Sequence, residues 1–117
     1  MLNVSAHVRI FIVLGATDLR KGFDGLMRLV SEVVKQDPLS GHLFVFVNRR
    51  KDRVKLMYWD RDGLCIWYKR LEVGTFQMPR SDDKQRSLEL EPAQLSMILG
   101  GLDIRSARKR KRYRKAA

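Results

Sequence analysis

Apolar residues recur with two different periods along this chain, and each period predicts a different kind of element. Residues 8–14 are rich in β-branched and aromatic side chains and end at Gly15 and Ala16, which predicts a strand. A helical spacing follows in six apolar residues: Phe23, Leu26, Met27, Val30, Val33 and Val34. Pro38 ends this helix, because proline disfavours helical geometry in the residue before it.

The period changes to that of strands between Gly41 and Pro79. We predict strands at residues 42–47, 53–59 and 64–71, and a shorter fourth strand at residues 76–78. Polar or glycine-containing turns separate them, and Gly63 is expected to supply the positive φ of the second turn. Three consecutive tight connections predict an antiparallel meander, because parallel strands need a long crossover.

Two further elements complete the predicted fold. A short strand is expected at residues 88–90, and a last helix begins at Pro92 with an apolar stripe of Leu95, Ile98, Leu99 and Leu102. We therefore predict an α+β fold: an antiparallel β-meander sheet packed on one face by two helices, with Lys and Arg on the other face. Residues 1–104 would form a single domain, followed by a flexible basic tail at residues 105–117.

Charge is distributed unevenly along the chain. The formal net charge is +11, from 24 basic and 13 acidic residues. All the acidic residues and 16 of the basic ones fall in residues 1–104, which leaves a tail with eight cations and no anion. The tail cations are Arg105, Arg108, Lys109, Arg110, Lys111, Arg112, Arg114 and Lys115. Such a run repels itself until a polyanion neutralises it, which indicates nucleic acid, although a tail that only aids solubility is the alternative.

A second group of cations surrounds the first predicted hairpin turn. It consists of Arg49, Arg50, Lys51, Arg53 and Lys55, with Arg53 and Lys55 expected to project from one strand face. A ribbon tip of this kind could enter a major groove or lie along phosphates. The alternative is a solvated hairpin whose cations prevent edge-to-edge pairing of sheets.

Aromatic residues are concentrated in the predicted sheet. Five lie within twenty residues: Tyr58, Trp59, Trp67, Tyr68 and Phe76. Rings mixed with cations could stack on nucleic-acid bases. Aromatic residues also favour strands and cross-strand packing, so both interpretations remain open.

No residue pattern predicts catalysis, a bound metal or a cofactor. His7, His42 and Cys65 lack the spacing of metal ligands, and a single cysteine excludes an intramolecular disulfide. An acidic trio of Asp18, Asp60 and Glu72 could serve a metal-dependent nuclease only if the fold gathered it. The apolar run near the N-terminus is too short to span a bilayer and lacks the order of a signal peptide, so we expect a soluble, cytoplasmic protein without membrane association.

Three ordered blocks carry a resemblance to a known family. They are GATDLRKGFDGL at residues 15–26, DPLSGHLFVF at residues 37–46 and YWDRDGLCIWYKRL at residues 58–71. In these blocks the chain resembles the TnpB accessory proteins, encoded by the second reading frame of the IS66 group of insertion sequences. It does not resemble the much larger RNA-guided nucleases that share the name TnpB. Two positions depart from the family pattern: Asn48, where a basic residue is usual, and Arg61, where glycine is usual.

The resemblance implies a function as well as a family. It implies a small bacterial protein without catalytic residues that acts beside a separately encoded transposase and helps to assemble it with the DNA ends of the element. Our leading hypothesis is therefore an accessory protein of transposition that binds DNA phosphates through the tail and the hairpin. The alternatives are a module that binds transposase without contacting DNA and a metal-dependent nuclease.

Overall fold

The computed structural model describes residues 7–101 and 112–113 of the chain. The strands are β1 (Ile10–Val13), β2 (Leu43–Val47), β3 (Arg53–Asp60), β4 (Gly63–Arg70) and β5 (Ser87–Leu90). The helices are α1 (Phe23–Leu29), which continues into a π-helical segment (Val30–Val34), and α2 (Pro92–Gly100). The predicted α+β class is confirmed.

The strands form one five-stranded sheet in the order β4-β3-β2-β1-β5. Strands β2, β3 and β4 make the predicted antiparallel meander, with Phe44 opposite Met57 and Met57 opposite Ile66. Strand β1 runs parallel to β2 and antiparallel to β5, so the sheet is mixed. The long connection through α1 makes the parallel pair possible, because a parallel pair needs a crossover.

The two helices pack against opposite faces of the sheet, and not against one face as predicted. Ile10 and Ile12 of β1 lie in the core layer beneath α2, whereas Phe11 and Val13 lie in the layer beneath α1. Every residue of β1 and β2 is buried. The expected face of Lys and Arg is therefore absent from the centre of the sheet, because apolar side chains cover both of its sides.

The segment after β4 differs from the prediction in a second way. Residues 76–78 form no strand, and Phe76 is instead fully buried in the core layer beneath α2. Its amide donates a hydrogen bond to the carbonyl of Lys51 at 2.7 Å, which joins this segment to the β2–β3 hairpin. Helix α2 ends at a left-handed Gly101 with φ 83°.

Candidate nucleic-acid interface

The tip of the β2–β3 hairpin holds its cations on a braced turn. The Asn48 Oδ1 atom accepts hydrogen bonds from the amides of Asp52 and Arg53 at 3.1 and 3.0 Å. Its Nδ2 atom donates to Asp52 Oδ1 at 2.7 Å. The side chains of Arg49, Arg50 and Lys51 are exposed between these anchors. Asn48 therefore braces the turn through its side-chain amide.

Lys55 does not belong to this exposed group, contrary to the sequence-based expectation. The residue is only 9% exposed, and its Nζ atom donates to the carbonyls of Leu19 and Lys21 at 2.7 and 3.0 Å. The ammonium group also lies 4.8 Å from the centre of the Tyr68 ring. The loop that precedes α1 covers this part of β3, so Lys55 fixes that loop and points its charge into the protein.

A polar cleft of about 630 Å³ opens beside the hairpin tip. It lies where β1 and β2 end, and because these strands are parallel, the loops that follow them meet at the same edge of the sheet. The cleft is lined by residues of both loops and by Tyr68 of β4. Its charged lining residues are Asp18, Arg20, Arg49, Arg50, Asp52 and Arg53.

The carboxylate of Asp18 pairs with Arg20 at the mouth of this cleft. The Nη2 atom of Arg20 lies 2.7 Å from Asp18 Oδ2, and the Arg20 amide donates to Asp18 Oδ1 at 3.0 Å. The side-chain hydrogen bond from Arg20, followed by that of its amide, holds the pKa of Asp18 well below its usual range. Asp18 therefore stays ionised, and its negative charge offsets the positive charge of Arg20. The excess positive charge of the cleft comes from the hairpin arginines.

Thr17 is a buried polar residue that lines the same cleft. It is 5% exposed, and its amide donates to the carbonyl of Val47 at 2.9 Å, which ties the β1–α1 loop to the end of β2. Among the described residues, its Oγ1 atom has no hydrogen-bond partner. Thr17 also borders a smaller neighbouring cleft of about 260 Å³. A buried hydroxyl without a partner is uncommon, because its desolvation is not compensated.

The aromatic residues divide into core and surface groups. Phe76 is buried, and Tyr58, Trp59 and Trp67 are partly buried, whereas Tyr68 is 49% exposed. The Nη1 atom of Arg53 lies 3.4 Å from the Tyr68 hydroxyl, which places a cation beside the exposed ring. Of the five rings considered for base stacking, only Tyr68 lines the cleft.

Thr17 and Arg20 were missed as candidate site residues in the sequence. Both lie in the loop after β1, more than twenty-five residues before the basic hairpin. The cleft that joins them to the hairpin depends on the parallel pairing of β1 with β2, and no short-range pattern indicates that pairing.

Arg112 is the one tail cation among the described residues, and it lies against the body. Its Nη1 and Nη2 atoms donate to the carbonyls of Thr75 and Ile98 at 3.0 and 3.5 Å. The guanidinium carbon is 5.3 Å from the centre of the Phe76 ring. The other predicted tail sites, Arg105, Arg108, Lys109, Arg110, Lys111, Arg114 and Lys115, lie outside the described residues, as does the expected flexibility of the tail.

The acidic trio considered for a nuclease is not gathered by the fold. Within residues 7–101 and 112–113, no three His, Cys, Asp or Glu side chains are placed to hold a metal ion, and this includes Asp18, Asp60 and Glu72. None of the helices in that part of the chain is long and apolar enough to cross a membrane.

Comparisons with known proteins identify relatives across nearly the whole chain. Residues 8–109 match the family described as IS66 Orf2 like protein. The chain is 41% identical to the uncharacterized protein y4hO of Sinorhizobium fredii over 105 residues, which cover 90% of each chain. It is 36% identical to the uncharacterized protein y4jC of the same organism, over 88% of this chain and 86% of the relative. No solved structure matches the chain.

Proposed function

The chain belongs to the IS66 Orf2-like family, a group of transposition-associated accessory proteins and not a known catalytic family, and on that premise we propose that it is a non-catalytic DNA-binding protein. It binds the element's DNA in the bacterial cytoplasm and assists a separate transposase. The binding is largely independent of sequence, because it is made through phosphates.

The observation that carries this proposal is the braced, exposed tip of the β2–β3 hairpin. Arg49, Arg50 and Lys51 project from a turn that Asn48 holds by three side-chain hydrogen bonds. Cations held by such a turn lose less conformational freedom on binding than cations on a mobile segment. Arginine also suits this role, because its planar fork can bind two phosphate oxygens at once.

The tail supplies the second part of the proposed interface. Seven of its cations, all except Arg112, are assigned to phosphates here because residues 105–117 contain no acidic residue. Arg112 is left out because its guanidinium is engaged with the body. Each cation that meets a phosphate releases counterions, so the affinity falls as the salt concentration rises.

The proposal is tested by the salt dependence of DNA binding by the full chain. One variant replaces the seven tail cations by Gln and keeps Arg112, and a second carries Arg49→Gln, Arg50→Gln and Lys51→Gln. At about 0.9 per phosphate contact, the slope of log K against log salt should become less steep by up to about 6 in the first variant and about 3 in the second. Fluorescence anisotropy on a labelled duplex measures both slopes.

The matched control replaces three exposed cations that lie away from the hairpin: Arg28, Lys35 and Lys84. Replacing these by Gln lowers the net charge as much as the hairpin variant does, and the slope should change little. If the wild-type protein binds no DNA in dilute buffer but co-purifies with transposase after nuclease treatment, then the chain is a protein-interaction module and the proposal is wrong. If the slope of log K against log salt becomes less steep by the same amount in the hairpin variant and in the control, the hairpin does not belong to the DNA-binding interface.

A further inference from the structure

We infer that the cleft between the β1–α1 loop and the β2–β3 hairpin binds an unpaired nucleotide of DNA, with its phosphate at the arginines and its base on Tyr68. This inference rests on the proposed DNA-binding function and adds to it a site for a specific state of the nucleic acid. It also involves Thr17 and Tyr68, which phosphate contacts on a duplex would not require.

The size and charge of the cleft fit a single nucleotide. Its volume of about 630 Å³ falls in the range that holds one small ligand. The exposed guanidiniums of Arg49, Arg50 and Arg53 line it, and Asp18 is already neutralised by Arg20. Asp52 is engaged with the Asn48 amide group, which orients the carboxylate within the turn. An anionic ligand is therefore favoured at the hairpin side.

The hydroxyl of Thr17 provides an independent observation that points to a ligand. It is a buried polar group that lines the cleft, and it has no hydrogen-bond partner among the described residues. A hydroxyl can donate to a phosphate oxygen or accept from a base, and either bond would compensate for the desolvation of Thr17.

Tyr68 distinguishes an unpaired base from a paired one. Its ring is 49% exposed in the cleft and is held by the Lys55 ammonium 4.8 Å from its centre. In a duplex the faces of the bases are covered by their neighbours, and a protein reaches only the edges in the grooves. A ring can stack only on a base that has left the helix or was never paired. The combination of Tyr68, Thr17 and the arginines therefore favours a single-stranded or splayed nucleotide.

The test compares two DNA probes bound to the full-length protein. One is a blunt 24-base-pair duplex, and the other is a 20-base-pair duplex whose strands end in unpaired arms of four thymidines. The wild-type protein should bind the forked probe about tenfold more tightly, since stacking of one base on an aromatic ring has about this effect. Tyr68→Leu should remove this preference and leave the affinity for the blunt probe within twofold.

Phe23→Leu is the matched control, because Phe23 is also 49% exposed but does not line the cleft. It should keep the preference for the forked probe. Thr17→Val should lower that preference about fivefold and leave the melting temperature unchanged or higher, because it removes an unpaired buried hydroxyl at nearly constant shape.

The outcomes separate this inference from the proposed function. The cleft inference is overturned if the wild-type protein binds the two probes equally. It is also overturned if Tyr68→Leu loses the same affinity for both probes. Either result leaves DNA binding intact. Unchanged forked-probe affinity in Thr17→Val overturns the role of the hydroxyl. If neither probe is bound, the proposed function itself is wrong.

Discussion

At the scale of single residues, Lys55 shows how one long side chain can organise a neighbouring loop. It lies on β3 and reaches the carbonyls of Leu19 and Lys21, which belong to the loop ahead of α1. A buried ammonium group is tolerated only when hydrogen bonds replace its water. Two carbonyls and the Tyr68 ring provide that replacement. The same hydrogen bonds hold the loop in the shape that forms one side of the cleft.

We expect Lys55→Met to destabilise the protein by about 2 kcal/mol, because hydrogen bonds to a charged group are lost and two carbonyls lose their donor. Urea denaturation followed by tryptophan fluorescence measures the change. Lys69→Met on β4 is the control, since Lys69 is exposed and its loss should change the stability by less than 0.5 kcal/mol, as is typical of surface substitutions. Equal stability of Lys55→Met and the wild-type protein would show that the ammonium group contributes nothing to the fold.

Arg61 is a second residue whose role depends on the backbone. It has φ 50° in the turn between β3 and β4, whereas Gly63 pairs with Asp60 as the first residue of β4. The prediction that Gly63 supplies the positive φ was therefore wrong by two positions. The resemblance implies a glycine at position 61, and a positive φ there fits that implication.

We expect Arg61→Gly to stabilise the protein by about 1 kcal/mol, because glycine adopts positive φ without the steric cost that other residues bear. Asp62→Gly is the control, since the added chain flexibility is the same but Asp62 does not have positive φ. The control should be neutral or destabilised. Equal midpoints of urea denaturation for the two variants would contradict this explanation.

At the scale of elements, the sequence predicted the existence of nearly every strand and helix but not their arrangement in space. The β2–β3–β4 meander could be predicted because short polar turns permit only adjacent antiparallel strands. The pairing of β1 with β2 could not, because the intervening helix makes the contact long in sequence. The candidate site followed the same division: the sequence predicted a group of cations at the hairpin turn, of which all but Lys55 are exposed, but it did not predict the cleft beside them.

One signal for the arrangement was present in the strands themselves. The sequences IFIV of β1 and LFVFV of β2 are apolar without alternation, and every residue in them is buried. A strand that is apolar on both sides is typical of a sheet covered on both faces. This pattern contradicts a solvent-facing sheet surface of Lys and Arg, and it indicates that the helices lie on opposite sides.

The C-terminal end of α2 gives a prediction at this scale from two adjacent glycines. Gly101 has φ 83°, and a Cβ atom there would lie 3.2 Å from the Arg112 side chain, whereas a Cβ at Gly100 would meet nothing within 4 Å. Gly101→Ala should therefore cost about 1–2 kcal/mol, and Gly100→Ala should be neutral or stabilise the helix by up to about 1 kcal/mol. The midpoint of thermal denaturation should fall for Gly101→Ala. It should rise or stay unchanged for Gly100→Ala.

At the scale of the whole molecule, Arg112 joins the C-terminal part of the chain to the body. Sequence reasoning treated all eight tail cations alike, since composition does not distinguish a cation that meets phosphate from one that meets a carbonyl. The structure places the Arg112 guanidinium against Phe76 and the carbonyl of Thr75, which lie in the segment between β4 and β5. That segment also hydrogen-bonds to the basic hairpin through the amide of Phe76. One side chain therefore links the chain near its C-terminus to the proposed DNA-binding surface.

This link predicts that the structural and electrostatic roles of the tail can be separated at one position. Arg112→Lys keeps the charge but loses the planar guanidinium, which donates to the carbonyl of Thr75 and lies over the Phe76 ring. The substitution should therefore lower the stability by about 1–2 kcal/mol. The salt slope of DNA binding should stay the same, because the number of cations is unchanged. Arg80→Lys, at an exposed position, is the control and should alter neither quantity. Unchanged stability of Arg112→Lys, together with a slope that is less steep in Arg112→Gln, would instead show that Arg112 contacts phosphate.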